Sequence, residues 1–174
     1  PATLTQNAPV TATYQTGAFT GSGNGSVTAS VTAVDVSLAP PRDPVTSGCE
    51  AADFAGFPAG NIALIQRGTC PFADKALNAQ AAGASGVIIF NQGNTPAREG
   101  LIVGTLAPST ALIPVVGASF ADGEALAQPG SVATVITPAS ESRPQVNVIA
   151  QTEGGNPDNV VMVGAHLDSV QAGP

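Results

Sequence analysis

The stretch NVVMVGAHLDSVQAGP, Asn159–Pro174, carries the only histidine of the chain, His166, at the end of a hydrophobic run, with Asp168 two residues later. On an extended strand, residues i and i+2 project to the same side with Cα atoms about 6–7 Å apart. A carboxylate placed there can accept one imidazole N–H while the other ring nitrogen faces a partner. Two readings stay open on the residues alone. One is a hydrogen-bonded pair at a strand end. The other is a single metal ligand whose tautomer and orientation the carboxylate fixes.

The remaining reactive residues point to structure more than to chemistry. Cys49 and Cys70 lie in turn-like sequence, SGCEAADF and RGTCPF. In an oxidising compartment they would pair, closing a loop worth about 3 kcal/mol in the chain-entropy picture. Two buried free thiols are the alternative. A zinc site built on them is not expected, because the spacing is not C-x-x-C and the histidine lies far down the chain. Arg67 could clamp a carboxylate, but the simpler expectation is that it ties down loop carbonyls or a carboxylate such as Asp53 or Glu50. Asp74 and Lys75 read as a solvated helix face, Phe72 as core, and Gly68 and Gly83 as positions chosen for backbone geometry. With His166 as the sole candidate base, no Ser/His/Asp triad can be drawn, and no glycine loop of the phosphate-cradling kind is present.

The elements that must position these groups follow from periodicity. VTATYQT (Val10–Thr16) and GSVTASVTAVDV (Gly25–Val36) alternate like half-buried strands, with Val27, Ala29, Val31 and Ala33 on one face. The turn between them includes Asn24-Gly25-Ser26, a weak match to the N-glycosylation acceptor pattern. Ile62–Gln66 and Gly86–Asn91 are short apolar runs that read as buried strands. Between them, Pro71 suits a helix start and Gly83 a left-handed helix end, with an apolar stripe through Phe72, Ala76 and Ala79. Strand, helix and strand with short connections predict a parallel βαβ unit. Ala111–Gly117, Ser119–Gln128 with a Ser119/Asp122 capping box, and Ser131–Pro138 predict a further strand, short helix and strand. After the linker-like PASESRPQ, the runs VNVIAQT and NVVMVGAH predict a hairpin.

Composition narrows the class. The 174 residues are 43% hydrophobic but only 4% aromatic, so the core must be built from Val, Ile, Leu and Ala. With 20 Gly and 15 Pro, short strands and turns are favoured over long helices. The net charge of −7 argues against nucleic acid or an anionic membrane surface as partner. No stretch approaches the ~18 apolar residues of a membrane span. Pro1 opens a polar, Thr-rich segment and not a signal peptide, as in a mature exported protein. With 10% charged residues, solubility leans on Ser, Thr, Asn and Gln, a texture of secreted, extracellular proteins.

Gly60–Asn91, GNIALIQRGTCPFADKALNAQAAGASGVIIFN, resembles the protease-associated (PA) domain: a buried strand, Arg-Gly, Cys-Pro-Phe, a helical Lys, Ala-Gly-Ala, and a second strand ending in Asn. GCEAADF (Gly48–Phe54) and IPVVGASFADGEAL (Ile113–Leu126) resemble the lead-in and the later strand-helix segment of that family. The tail from Asn147 resembles the entry into a secreted zinc aminopeptidase of the bacterial leucine-aminopeptidase type. The resemblance implies a mixed α/β, mainly β fold: an open β-barrel-like sheet flanked by two short helices, plus a C-terminal β-hairpin from a neighbouring peptidase sheet. It implies the segments 1–24 (N-terminal strand and turn), 25–137 (PA domain), 138–145 (linker) and 146–174 (first hairpin of the peptidase). It makes His166 a zinc ligand and Asp168 its orienting partner in the intact parent, with Arg67, Gly68, Phe72 and Gly83 as structural residues of the PA motif. The family's bridging aspartate, further ligands and glutamate base are not among these residues. The expectation is therefore an access-governing or peptide- and protein-binding module, inactive and without bound zinc by itself. Its partners would be the rest of the peptidase domain and peptide or protein substrates. The other readings are one piece of a nicked, active di-zinc aminopeptidase and a stand-alone sorting module.

Overall fold

Three runs, IALIQ, GVIIF and VVGA, are buried at every position, as strands must be when both faces of a sheet are covered. They form the centre of the computed structural model, which describes residues 1–42, 44–139, 154–156, 161 and 164. The chain divides into two units, Pro1–Glu141 and Ser142–Pro174. Most of the expected hairpin, His166 and Asp168 included, lies outside the described residues.

In the first unit the elements are β1 (Thr3–Ala8), β2 (Ala12–Tyr14), β3 (Gly25–Val34), β4 (Ile62–Gln66), α1 (Phe72–Ala81), β5 (Gly86–Phe90), β6 (Val115–Ala118), α2 (Phe120–Leu126) and β7 (Val132–Thr137). Short 3-10 turns occur at Ala51–Phe54 and Pro96–Arg98. One seven-stranded sheet runs in the order β2-β1-β7-β3-β4-β5-β6. The fold is mixed α/β and mainly sheet with two helices; the sheet does not close into a barrel. β4, β5 and β6 are parallel neighbours, as the strand-helix-strand pattern predicts. β3 is the hinge between two regimes: Gly25–Ser30 pair antiparallel with β7, and Val31–Val34 pair parallel with β4. Hence Thr28 and Ser30 face water while Val34 is buried.

Because side chains alternate along each strand, the two sheet faces have separate cores. One face sets Ala63, Ile65, Val87, Ile89 and Val115 against Ala73, Ala76 and Ala79 of α1. The other sets Ile62, Leu64, Ile88, Phe90 and Val116 against Phe120 and Leu126 of α2, with Leu4, Ala133 and Val135 joining from β1 and β7. α1 ends where Gly83 takes φ +86°, and the Ala84 and Gly83 N–H groups donate to the Ala79 and Gln80 carbonyls. That is the left-handed closure a glycine suits. At the start of α2, the Asp122 N–H donates to Ser119 Oγ (3.1 Å) and the Ser119 N–H to the Asp122 carboxylate (3.3 Å).

The segment 1–24 contributes β1 and β2 to this same sheet. β1 is not legible as a strand because its second buried side chain is Gln6, which donates to Ser131 Oγ at 3.0 Å and accepts from the Tyr14 hydroxyl.

Gly123 faces the Phe90 ring so closely that an added Cβ would lie 2.2 Å from it. Gly123→Ala gains about 1 kcal/mol of helix propensity, but overpacking costs about 1–3 kcal/mol. Urea denaturation should show net destabilisation, against what an exposed helical glycine would give.

Candidate functional site

Sites on open α/β sheets assemble where parallel strands end at their carboxyl edge. Here the loops leaving β3, β4 and β5 meet over a network of amides and arginines. Gln66, the last residue of β4, is fully buried. Its Nε2 donates to the Ser37 and Gln92 carbonyls (3.0 Å each), and its Oε1 accepts the Ser37 N–H at 2.7 Å. Gln92, also buried, takes Arg98 Nη1 on its Oε1 at 2.8 Å. Arg42 donates to the Leu38 (2.8 Å) and Gly93 (3.2 Å) carbonyls, lies 4.3 Å from the Phe120 ring centroid and pairs with Glu124 at 3.5 Å. Three of the four arginines of this acidic chain thus lie at one edge of the sheet, Arg42 and Arg98 as loop ties.

Arg67 departs from expectation. Its guanidinium reaches Asn91 Oδ1 at 3.4 Å, and not Asp53 or Glu50. Arg67 continues β4, and its N–H donates to the Phe90 carbonyl at 2.8 Å, so its natural neighbour is the next residue along β5.

The task expected of Arg67 falls to Lys75. This residue is completely buried, not solvated, and its ammonium donates to the Ser47 carbonyl and lies 3.6 Å from Cys49 Sγ. Asp74 beside it is exposed, as expected. One turn on, Asn78 Nδ2 donates to the Cys49 (2.8 Å) and Gly48 (3.2 Å) carbonyls. Burial lowers the Lys75 pKa to about 8, and the Asp53 and Asp35 carboxylates limit the fall. Helical spacing carried the signal: Lys75 lies four residues before Ala79 and three after Phe72, within the stripe that faces the sheet.

Cys49 and Cys70 are joined in a disulfide with Cα atoms 5.8 Å apart. The bridge spans 21 residues. Reducing it should lower stability by about 3 kcal/mol, read as a fall in the urea midpoint with and without a reductant. Gly68 admits no side chain: a Cβ would lie 1.9 Å from the Val45 carbonyl oxygen. Phe72 is half-buried at the edge of the core, edge-on to Phe19 at 5.1 Å between centroids. Among the described residues no three His, Cys, Asp or Glu side chains converge to hold a metal ion, and no helix is long and apolar enough to cross a membrane.

Residues 27–126 match the PA domain family. The chain belongs to that family. Residues 147–174, beyond the PA domain, match Peptidase family M28. The chain is 55% identical over 153 residues to an aminopeptidase of Pseudomonas aeruginosa (strain UCBPP-PA14), covering 86% of this chain and 28% of that protein. It is 44% identical over 136 residues to the probable leucine aminopeptidase 2 of Aspergillus fumigatus, covering 73% of this chain and 26% of that protein. Among solved structures, BSAP, a zinc aminopeptidase from Bacillus subtilis, superposes with a TM-score of 0.62 at 30% identity, over 78% of this chain and 29% of that one. An aminopeptidase from Aneurinibacillus sp. strain AM-1 gives 0.61 at 35% identity, over 78% and 30%. The chain therefore spans under a third of the length of each of these relatives. The disulfide, Lys75 and Gln66 all lie inside the matched PA segment, and His166 and Asp168 inside the peptidase segment.

Proposed function

We propose that this chain is the PA domain of a secreted zinc aminopeptidase, followed by the first residues of the peptidase itself. The carrying observation is the order of the two matches in one polypeptide, PA domain at 27–126 and Peptidase family M28 at 147–174. On this reading residues 25–137 are the accessory domain, 138–145 the linker and 146–174 the entry to the catalytic sheet. The domain governs substrate access or holds peptide and protein partners, and performs no chemistry itself. Arg67, Gly68, Phe72 and Gly83 shape its loops and core.

In the intact enzyme His166 would hold zinc through one ring nitrogen while Asp168 accepts the N–H of the other, keeping the ring in the ligating tautomer. The donor set fits zinc in kind, since imidazole is a common ligand of that ion, but one imidazole is fewer ligands than a catalytic site uses. When bound, zinc would supply an activated water and a polarised carbonyl at the N-terminal peptide bond. Among the described residues the domain's β2 strand pairs on one side only, with β1, which leaves a backbone edge that an extended peptide could join.

The test compares the parent enzyme with and without residues 1–137, so that β1 and β2 leave together with the rest of their sheet, on a small aminoacyl chromogenic substrate and on long peptides. The expected outcome is retained turnover of the small substrate with a changed KM for the long ones. Equal loss on both would reject the access role. Hydrolysis by the 174-residue chain alone, supplied with zinc, would reject the non-catalytic reading.

A further inference from the structure

The bridge between Cys49 and Cys70 has unequal surroundings on its two sulfurs. Cys49 Sγ lies 3.6 Å from the ammonium of Lys75, a side chain with no exposed surface. Glu50 follows Cys49 directly and is exposed, and Asp53 sits three residues further on in the same turn. Cys70 stands between Thr69 and Pro71, both uncharged and exposed.

Thiol–disulfide exchange is sensitive to these differences. The attacking group is an anionic thiolate, and the departing sulfur leaves faster the better its negative charge is held. The carboxylate of Glu50 opposes an anion approaching Cys49. The ammonium of Lys75, out of water, favours a thiolate forming on Cys49.

We propose that this disulfide is a directional redox site, opened by a low-molecular-weight thiol that attacks Cys70 Sγ and expels Cys49 as a thiolate onto Lys75. In the first step the new bond is thiol sulfur to Cys70 Sγ and the broken bond is Cys70 Sγ to Cys49 Sγ. A second thiolate then attacks the reagent's own sulfur in the mixed disulfide and releases Cys70. Two reagent thiols are oxidised to their disulfide, the cystine takes up two electrons, and the protons come from solvent.

The loop does not depend on the bridge alone. Ser47 Oγ donates to the Val34 carbonyl and accepts the Gln66 N–H at 3.0 Å, and Asn78 holds the Gly48 and Cys49 carbonyls. None of these bonds uses a sulfur of the bridge, so they can hold the loop in the dithiol form while the bridge re-forms. Lys75 faces Cys49 from α1, and the Asp53 and Asp35 carboxylates act on the Lys75 ammonium. A carboxylate pair on that side tempers the cation without displacing it from the sulfur. The inference does not rest on the peptidase reading.

The oxidised chain is treated with limiting glutathione, quenched in acid, alkylated and mapped by mass spectrometry. Glutathione is expected on Cys70 with the alkyl group on Cys49, by about tenfold over the reverse. Lys75→Met should erase that bias and slow the opening by a similar factor. An even split in the unmodified protein, or an unchanged bias in Lys75→Met, overturns the proposal. Should Lys75→Met not fold, thiolate absorbance of the reduced unmodified protein decides, with single Cys→Ser variants assigning each sulfur. Cys49 must ionise at lower pH than Cys70, and the opposite order refutes it.

Discussion

Gln66→Leu is expected to destabilise the PA domain by about 3–5 kcal/mol, a large share of the about 5–15 kcal/mol that keeps a domain folded. Leucine would fill a similar volume, so the loss is not one of packing. It comes from three backbone groups: the Ser37 N–H, the Ser37 carbonyl and the Gln92 carbonyl, all served by this one amide. Each would be left without its partner at a cost of about 1–3 kcal/mol. The loops after β3 and β5 would lose their common anchor together. Urea denaturation followed by circular dichroism gives the number. A loss under about 1 kcal/mol would mean that water replaces the amide. Gln66→Glu would keep the acceptor facing the Ser37 N–H but put oxygen against two carbonyls, so it should be no better than leucine.

The second large effect is a rise of stability with alkaline pH. Lys75 has a folded pKa of about 8 against the usual 10.5, because burial penalises its charge. Between those values the unfolded chain binds the proton and the folded chain has released it, so stability rises as pH increases through the window. At and below neutral pH both states are protonated and this term is flat. From pH 7 to pH 10 the gain should be about 2–3 kcal/mol. Both cysteines are in the bridge, so no free thiol can reshuffle it over this range. Beyond pH 10 Tyr14 works in the opposite sense, its hydroxyl being pushed up by burial and by Asp122, so the comparison stops there. Lys75→Met should flatten the profile. A profile that falls from pH 7 to pH 10 in the unmodified chain would show that Lys75 keeps its proton when folded.

Both effects arise in a region where the sequence was read correctly in outline and misread in detail. IALIQ reads as a buried strand through its final Gln, but nothing in the run says what that amide holds. In the fold it lies under loops that begin 29 residues earlier, at Ser37, and 26 residues later, at Gln92. Lys75 occupies the sheet-facing stripe of α1, yet a lysine in that stripe is normally placed at the rim with its charge in solvent. What buries it is the turn from Ser47 to Phe54, brought onto α1 by the Cys49–Cys70 bridge and by Asn78.

The amino-acid sequence by itself determined the local and the periodic features of this protein. These are the parallel pairing of β4 and β5, the helix between them with its glycine stop, the capping box of α2, and the PA and M28 signatures. Such features depend on residues close together in the chain, or on a spaced pattern that leaves a readable trace. Only the tertiary structure decided that β1 lies between β2 and β7, that Arg67 meets Asn91 and not Asp53, and that Lys75 is an interior cation beside a disulfide sulfur. The physical reason is the same in each case. A polar side chain becomes stable inside a protein when distant segments bring it the one partner it needs, and nothing in its own neighbourhood of sequence records where that partner will come from.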